Sequence, residues 1–216
     1  MTAKDRRLGL SMLENARIFS EFNLHPRWLT GWVAVLAMVL GACSPMRYVH
    51  GVPNLDVVEW GDAGKPAVVR FGQPDPKAGL EPWKYLHDNY NVHVIVKLNS
   101  DDEGSDELAV EAGISLIKLP IPPFDGTNIV QDVQQDVQGP SSAQDERIQE
   151  LISLYRSMGV GIHCSHGQDR TGYEIFKWRR RNGWGCARAF NEALKHHFHP
   201  ALVGLQDRIG HECPGL

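Results

Sequence analysis

The apolar run Gly159-Val160-Gly161-Ile162-His163 passes without a break into Cys164-Ser165-His166-Gly167-Gln168-Asp169-Arg170-Thr171-Gly172, and a helical pattern follows. A strand that turns through glycine straight into a helix has few ways to fold. The turn aims several backbone N–H groups at one point, at the positive end of the helix dipole, and so makes an anion cradle. Arg170 adds a planar fork of donors matched to phosphate oxygens. Cys164, at the base of the cradle, meets the helix N-terminus and a guanidinium, surroundings that favour thiolate over thiol. A thiolate beneath a bound phosphate is a nucleophile aimed at phosphorus.

The rest of the chain supplies a scaffold for such a turn. Asp56–Trp60 and Ala67–Phe71 are short β-branched runs with Gly/Pro punctuation between them, Val92–Leu98 is the strongest strand signal, and Ile114–Leu119 is another. Glu81–Asn89 reads as a helix with Trp83 and Leu86 on one face, and Ser105–Ala112 as a short helix with an acidic start. Ser142 is placed to cap a helix over Ala143–Met158, with Ile148, Leu151, Ile152 and Tyr155 at helical spacing. The alternation predicts a single α/β domain, a central mixed or parallel sheet flanked by helices. Between Pro120 and Ser142 lies a loop of a length that is usually functional or disordered.

Composition narrows the class further. With 216 residues, 42% hydrophobic and 22% charged, the chain fits one domain plus a short appendage, and disordered, collagen-like and multi-span membrane chains are excluded. A formal charge of -4 gives no basic footprint for nucleic acid, and four cysteines are too few for a disulfide-built scaffold.

Trp28–Ala42 is an uncharged stretch of 15 residues preceded by Arg27, short of the roughly 20 needed to cross a bilayer. A positive residue, a short apolar run and small residues at its end form the secretory-signal pattern, here with a long leader that a start at Met12 would shorten. Leu40-Gly41-Ala42-Cys43 resembles the bacterial lipobox, whose cysteine is lipidated and becomes the new N-terminus, and Ser44 after it implies no inner-membrane retention. The expected organisation is a signal peptide over 1–42, a tether over 43–54 and a catalytic domain over 55–216. The expected location is the periplasmic side of a bacterial envelope, at the outer membrane, through a lipid on Cys43.

The loop sequence also resembles a family. His163-Cys164, Gly167 and Arg170-Thr171-Gly172 match the His-Cys-x5-Arg-Ser/Thr signature of the cysteine-dependent protein tyrosine and dual-specificity phosphatases. Arg70-Phe71-Gly72-Gln73-Pro74 is similar to the Arg-Ser-x-Gln-Pro turn that opens the core in bacterial and fungal members. Trp184–Pro200 looks like the family's closing helix, so the resemblance covers roughly Val57 to Pro200. It implies a compact dual-specificity-phosphatase-like fold with no metal and no cofactor. By that pattern Cys164 attacks phosphorus, and Arg170 with the loop amides of Ser165, His166, Gly167, Gln168 and Asp169 holds the phosphoryl oxygens. His163 restrains the loop, and Thr171 assists departure of the thiolate. The implied general acid is Asp125 in Pro122-Pro123-Phe124-Asp125-Gly126, a segment similar to that of phosphoinositide-directed relatives, with Asp132 and Asp136 as competitors.

The implied substrate is a phosphorylated protein or a small phosphomonoester. The alternatives are a phosphoinositide or inositol phosphate on the same loop, a non-catalytic phosphate-binding module, and sulfur-transfer or arsenate chemistry. Of the variable loop positions Ser165, His166 and Gln168, only His166 can become cationic, which favours singly phosphorylated substrates. Lys177, Arg180 and Arg181 read mainly as a solvated helix face, with some reach towards the pocket. Lys195-His196-His197-Phe198-His199, with His211 and Cys213, offers a metal-like grouping but equally a basic last helical turn. Cys186 and Cys213 can pair in an oxidising compartment.

Overall fold

The computed structural model describes residues 46–122 and 141–216. Residues 1–42, where a signal peptide is expected, and Cys43, Asp125, Asp132 and Asp136 lie outside the described residues. The β-branched runs pair into a five-stranded sheet. Its order is β3 (Asp56–Trp60), β4 (Pro66–Gly72), β7 (Val160–Cys164), β5 (Val94–Lys97), β6 (Ser115–Lys118). β3 runs antiparallel to β4, and the other four strands are parallel. Every position of β4, β7 and β5 is buried, as strands covered on both faces must be.

The two faces are covered by different helices. On one, α1 (Glu81–Tyr90) and α2 (Glu107–Glu111) bring Trp83, Leu86 and Ala109 against Val69, Phe71 and Ile95. On the other, α3 (Ser142–Tyr155) and α4 (Asp169–Arg181) bring Ile148, Ile152, Ile175 and Trp178 against Val68, Val96 and Ile162. A third cluster, built on Tyr173, Phe176 and Phe198, seats α5 (Cys186–Lys195) and α6 (Val203–Glu212) on α4. The expected α/β sheet with helices on both faces is what forms. The chain changes face between β6 and α3, and β7 then enters the sheet between β4 and β5, so the loop after Cys164 leaves at the carboxyl ends of the parallel strands, where α/β sheets bind ligands.

Three details depart from the sequence expectation. Residues 46–54 are not a tether in the described part: β1 (Tyr48–Val49) and β2 (Val52–Pro53) form a hairpin. Its two-residue turn, His50 at φ 49 and Gly51 at φ 76, has the positive φ values that tight hairpins require, and Val52, Pro53 and Asn54 are buried. The cap of α3 is Ser141 rather than Ser142, because Ser141 has Gln144 three residues ahead. The Gln144 N–H donates to Ser141 Oγ at 3.2 Å and the Ser141 N–H donates to Gln144 Oε1 at 3.0 Å. The basic stretch of α4 is a solvated face only in part: Arg181 is exposed and pairs with Glu146, but Lys177 is buried with Nζ 3.0 Å from Asp145 Oδ2, and Arg180 is half-buried and donates from Nη1 to Trp184 O. Cys186 and Cys213 do pair, joining α5 to the end of α6 across 5.8 Å between Cα atoms.

Between α3 and α4, Gln149 Nε2 donates to Glu174 Oε2 at 2.8 Å, and Glu174 is fully buried. Burial first, and then the charge of Asp145, raise the Glu174 pKa well above its ordinary 4.5, so folding favours its protonated form. The unfolded chain releases that proton above pH 4.5, so stability falls as pH rises beyond it. Glu174→Gln keeps an uncharged acceptor and donor without proton uptake. Thermal unfolding at about pH 5 and about pH 8 is expected to show a stability gain for this variant that is larger at the higher pH.

Candidate active site

Cys164 closes β7 opposite Gly72 and is 3% exposed; among the described residues it is the cysteine with a free thiol. The loop that follows is tied down through its carbonyls. The backbone N–H of Gln73 donates to Cys164 O and Ser165 O, each at 3.0 Å. Arg70 Nη2 donates to Gly167 O at 2.7 Å, and Asn54 Nδ2 donates to the same oxygen at 2.8 Å. With these carbonyls engaged on the outer side, the N–H groups of the turn are left for the concave side, which is what an anion cradle needs. Two glycines permit the approach. A Cβ on Gly72 would stand 2.7 Å from the His166 carbonyl carbon, and one on Gly167, at φ +67, 2.4 Å from Phe71 O.

Two guanidinium groups act on Cys164. Arg70 is fully buried, and burial pulls its pKa down to about 10, opposed by the charges of Glu192 and Cys164; it stays a cation at neutral pH. Arg170, in the first turn of α4, has its pKa raised: burial lowers it, and hydrogen bonding to Glu103 with the charge of Cys164 outweighs that. Arg170 Nη1 donates to Glu103 Oε1 at 2.8 Å and to Ile121 O at 3.2 Å. Its Nη2 donates to Glu103 Oε2 and, at 2.9 Å, to Ser165 Oγ. Glu103 ends the 3-10 turn Asp101–Glu103 after β5, and the Arg170 hydrogen bond holds its carboxyl down at about 2, burial opposing and Ser165 assisting. Glu103 therefore fixes the guanidinium plane, and any anion approaching that fork meets a carboxylate already on it.

The remaining expected residues fall into distinct places. His163 faces away from Cys164, stacked on Phe71 at 4.9 Å between ring centroids, with Nε2 2.9 Å from Asp106 Oδ2. Thr171 is fully buried, and its Oγ1 has no hydrogen-bond partner among the described residues. His166 is exposed and Gln168 half-buried. Asp169 directs its carboxylate to the C-terminal segment, accepting from the His199 N–H at 2.8 Å. The metal-like grouping is occupied otherwise. His196 Nε2 lies 3.2 Å from Asp56 Oδ2, His199 pairs with Asp169, and Cys213 is in the disulfide. Asn54, Arg70, Gln73, Glu103 and Asp106 are site residues that sequence reasoning did not assign. The Arg70–Pro74 turn was visible as a motif, and Asp101–Asp106 follows a parallel strand at its carboxyl end, where ligand-facing residues collect.

No protein-family model matches the chain, and no curated protein does. Solved structures do. The core catalytic domain of the PP-IP phosphatase Siw14 from S. cerevisiae, in complex with citrate, is 21% identical, with a TM-score of 0.54 over 72% of this chain and 83% of that one. TpbA of P. aeruginosa is 17% identical, with a TM-score of 0.53 over 78% of this chain and 91% of its own. The active form of Tk-PTP is 20% identical, with a TM-score of 0.52 over 74% and 95% respectively. The chain has the fold of the cysteine-dependent phosphatases.

Of the two glycines where the loop meets β4, Gly167 leaves the less room. Gly167→Ala adds left-handed backbone strain and a clash with the Phe71 carbonyl, and urea denaturation is expected to show a loss of about 2 kcal/mol or more. An unchanged midpoint would mean the loop does not lie against β4 as described.

Proposed function

We propose that this protein is a phosphomonoester hydrolase of the protein tyrosine/dual-specificity type, working through a phosphocysteine at Cys164. The observation that carries the reading is one loop holding both Cys164 and Arg170, with its carbonyls tied outward by Arg70, Gln73 and Asn54. The phosphoryl oxygens take hydrogen bonds from the amides of Ser165–Arg170 and from the Arg170 fork. Cys164 Sγ attacks phosphorus, the bond to the leaving oxygen breaks, and Asp125 protonates that oxygen. Water then attacks the phosphocysteine, passing its proton to Asp125, and the sulfur leaves as thiolate with help from the Thr171 hydroxyl. No step uses a metal or a cofactor.

Asp125 is supported by its place in the sequence. Ile121, whose O accepts from Arg170 Nη1 at 3.2 Å, stands only four positions before Asp125 in the sequence, and Asp125 sits in the Pro122–Gly126 segment that resembles the family's acid-bearing loop. Substrate choice is supported by charge. Ser165, His166 and Gln168 supply no lysine, and Glu103 sets a carboxylate against Arg170, which disfavours polyanions. Singly phosphorylated substrates, phosphotyrosine proteins first, are therefore the reading; TpbA has been solved in complex with phosphotyrosine, at 16% identity and a TM-score of 0.50. A phosphoinositide or inositol phosphate on the same loop is the alternative, and Siw14 is named for acting on such a compound.

We also propose that residues 1–42 are removed and that a lipid on Cys43 holds the domain on the periplasmic side of a bacterial envelope. The Cys186–Cys213 pair supports this, since such bonds persist in oxidising compartments.

The test is hydrolysis of an aryl phosphate by protein with its Cys164 thiol reduced, in the presence of a chelator. Turnover is expected to continue under the chelator and to fall to background in Cys164→Ser. In Asp125→Asn, kcat is expected to drop by about 10²-fold. Turnover that survives Cys164→Ser overturns the reading.

A further inference from the structure

Asp106 stands between the Asp101–Glu103 turn and α2, its side chain fully out of solvent. Its two oxygens have different partners. Oδ2 lies 2.9 Å from His163 Nε2, and Oδ1 accepts from Gln73 Nε2 at 2.6 Å. These partners flank the nucleophile by separate routes. His163 precedes Cys164 in the chain, and the Gln73 backbone N–H holds the carbonyls of Cys164 and Ser165. One buried carboxylate thus grips both supports of the nucleophile.

The polarity of the arrangement is fixed by its neighbours. Asn99 Nδ2 donates to Gln73 Oε1 at 3.2 Å, which turns the Gln73 amide nitrogen towards Asp106 and Ser105 O. Lys97 is paired in register with His163 on the adjacent strand. Its buried Nζ lies 3.7 Å from Asp106 Oδ2 and 2.9 Å from Asp101 Oδ1, and it donates to Gly104 O. Burial alone would raise the Asp106 pKa, but His163, Gln73 and Lys97 together hold it below its ordinary value. A carboxylate only accepts, so His163 must present Nε2–H to it.

We propose that Asp106 is a positioning residue for the nucleophile: it locks His163 in the Nε2–H form, clamps Gln73, and through both sets the place of the Cys164 loop. Its reach into catalysis rests on the phosphatase reading; its reach into the loop does not. The chemistry of Asp106→Asn makes the two separable. Asparagine offers one acceptor and one donor in the same shape. If its oxygen keeps Gln73, its nitrogen must donate to His163 Nε2, which drives the ring proton to Nδ1. The shape survives and the tautomer changes.

The experiment compares the full chain with its Asp106→Asn variant in three readouts. Ring-nitrogen NMR is expected to show His163 as Nε2–H in the native protein and Nδ1–H in the variant. Alkylation of Cys164 by iodoacetate, followed on its peptide by mass spectrometry, is expected to slow about tenfold, because a displaced loop stabilises the thiolate less. With an aryl phosphate, kcat is expected to fall about 10- to 100-fold while KM stays within about twofold, the signature of a misplaced nucleophile. Gln73→Met breaks only one arm. It is expected to slow alkylation while leaving His163 as Nε2–H, and it decides the matter should Asp106→Asn fail to fold. A native His163 carrying its proton on Nδ1, or unchanged alkylation in the variants, overturns the proposal. A native protein without phosphatase turnover removes the functional reading, and the tautomer and alkylation readouts still decide the role of Asp106.

Discussion

The structure depends on the outward anchoring of one turn. A peptide loop cannot aim its N–H groups at a single point unless its carbonyls are satisfied elsewhere, and the Cys164–Arg170 loop satisfies three of them on Arg70 of β4, Gln73 just beyond it and Asn54. The price in desolvation is visible: a fully buried arginine lies beneath the loop, its pKa pulled down to about 10. Gly72 and Gly167 allow the two backbones to meet, and the parallel pairing of β4 with β7 sets Gly72 opposite Cys164 so that the meeting occurs at that thiol. The sheet order, the glycines and the buried cation therefore serve one geometry.

The outer parts of the fold converge on the same turn. Strand alternation sends His163 and Cys164 to opposite faces of the central strand, so one face carries the thiol and the other the Asp106–Lys97 brace. The C-terminal segment closes the arrangement. His196 O accepts from Asn54 Nδ2 at 3.0 Å, and His199 meets Asp169 at the start of α4. A disulfide joins α5, from which that segment leaves, to α6. Elements that look peripheral thus reach the loop within one or two contacts.

What the sequence disclosed follows the range of the interactions involved. The Val94–Lys97 strand, the helical spacing of Ile148, Leu151 and Ile152, and the strand-turn-helix around Cys164 are local patterns, and each formed as expected. The hairpin at Tyr48–Pro53 did not announce itself, because strands of two residues carry no periodicity and its Gly and Pro read as linker. Ser141 and Ser142 are adjacent candidates for one cap, and the position of Gln144 decides between them. Asn54, Glu103 and Asp106 are single polar residues whose partners lie 113, 67 and 57 positions away, a separation that no window along the chain encodes. Lys177 misleads for the same reason, since its counter-charge, Asp145, sits 32 residues earlier on another helix.

Covalent capture of the phosphoryl group reports on the nucleophile directly. Acid quenching of a reaction mixture during turnover, followed by peptide mass spectrometry, is expected to find one phosphoryl group on the peptide bearing Cys164, attached at sulfur and lost on alkaline or thiol treatment. Substrate consumed with that peptide never modified, or with the phosphoryl group on another side chain, would contradict the central claim that this loop is built to hold phosphate above the Cys164 thiolate.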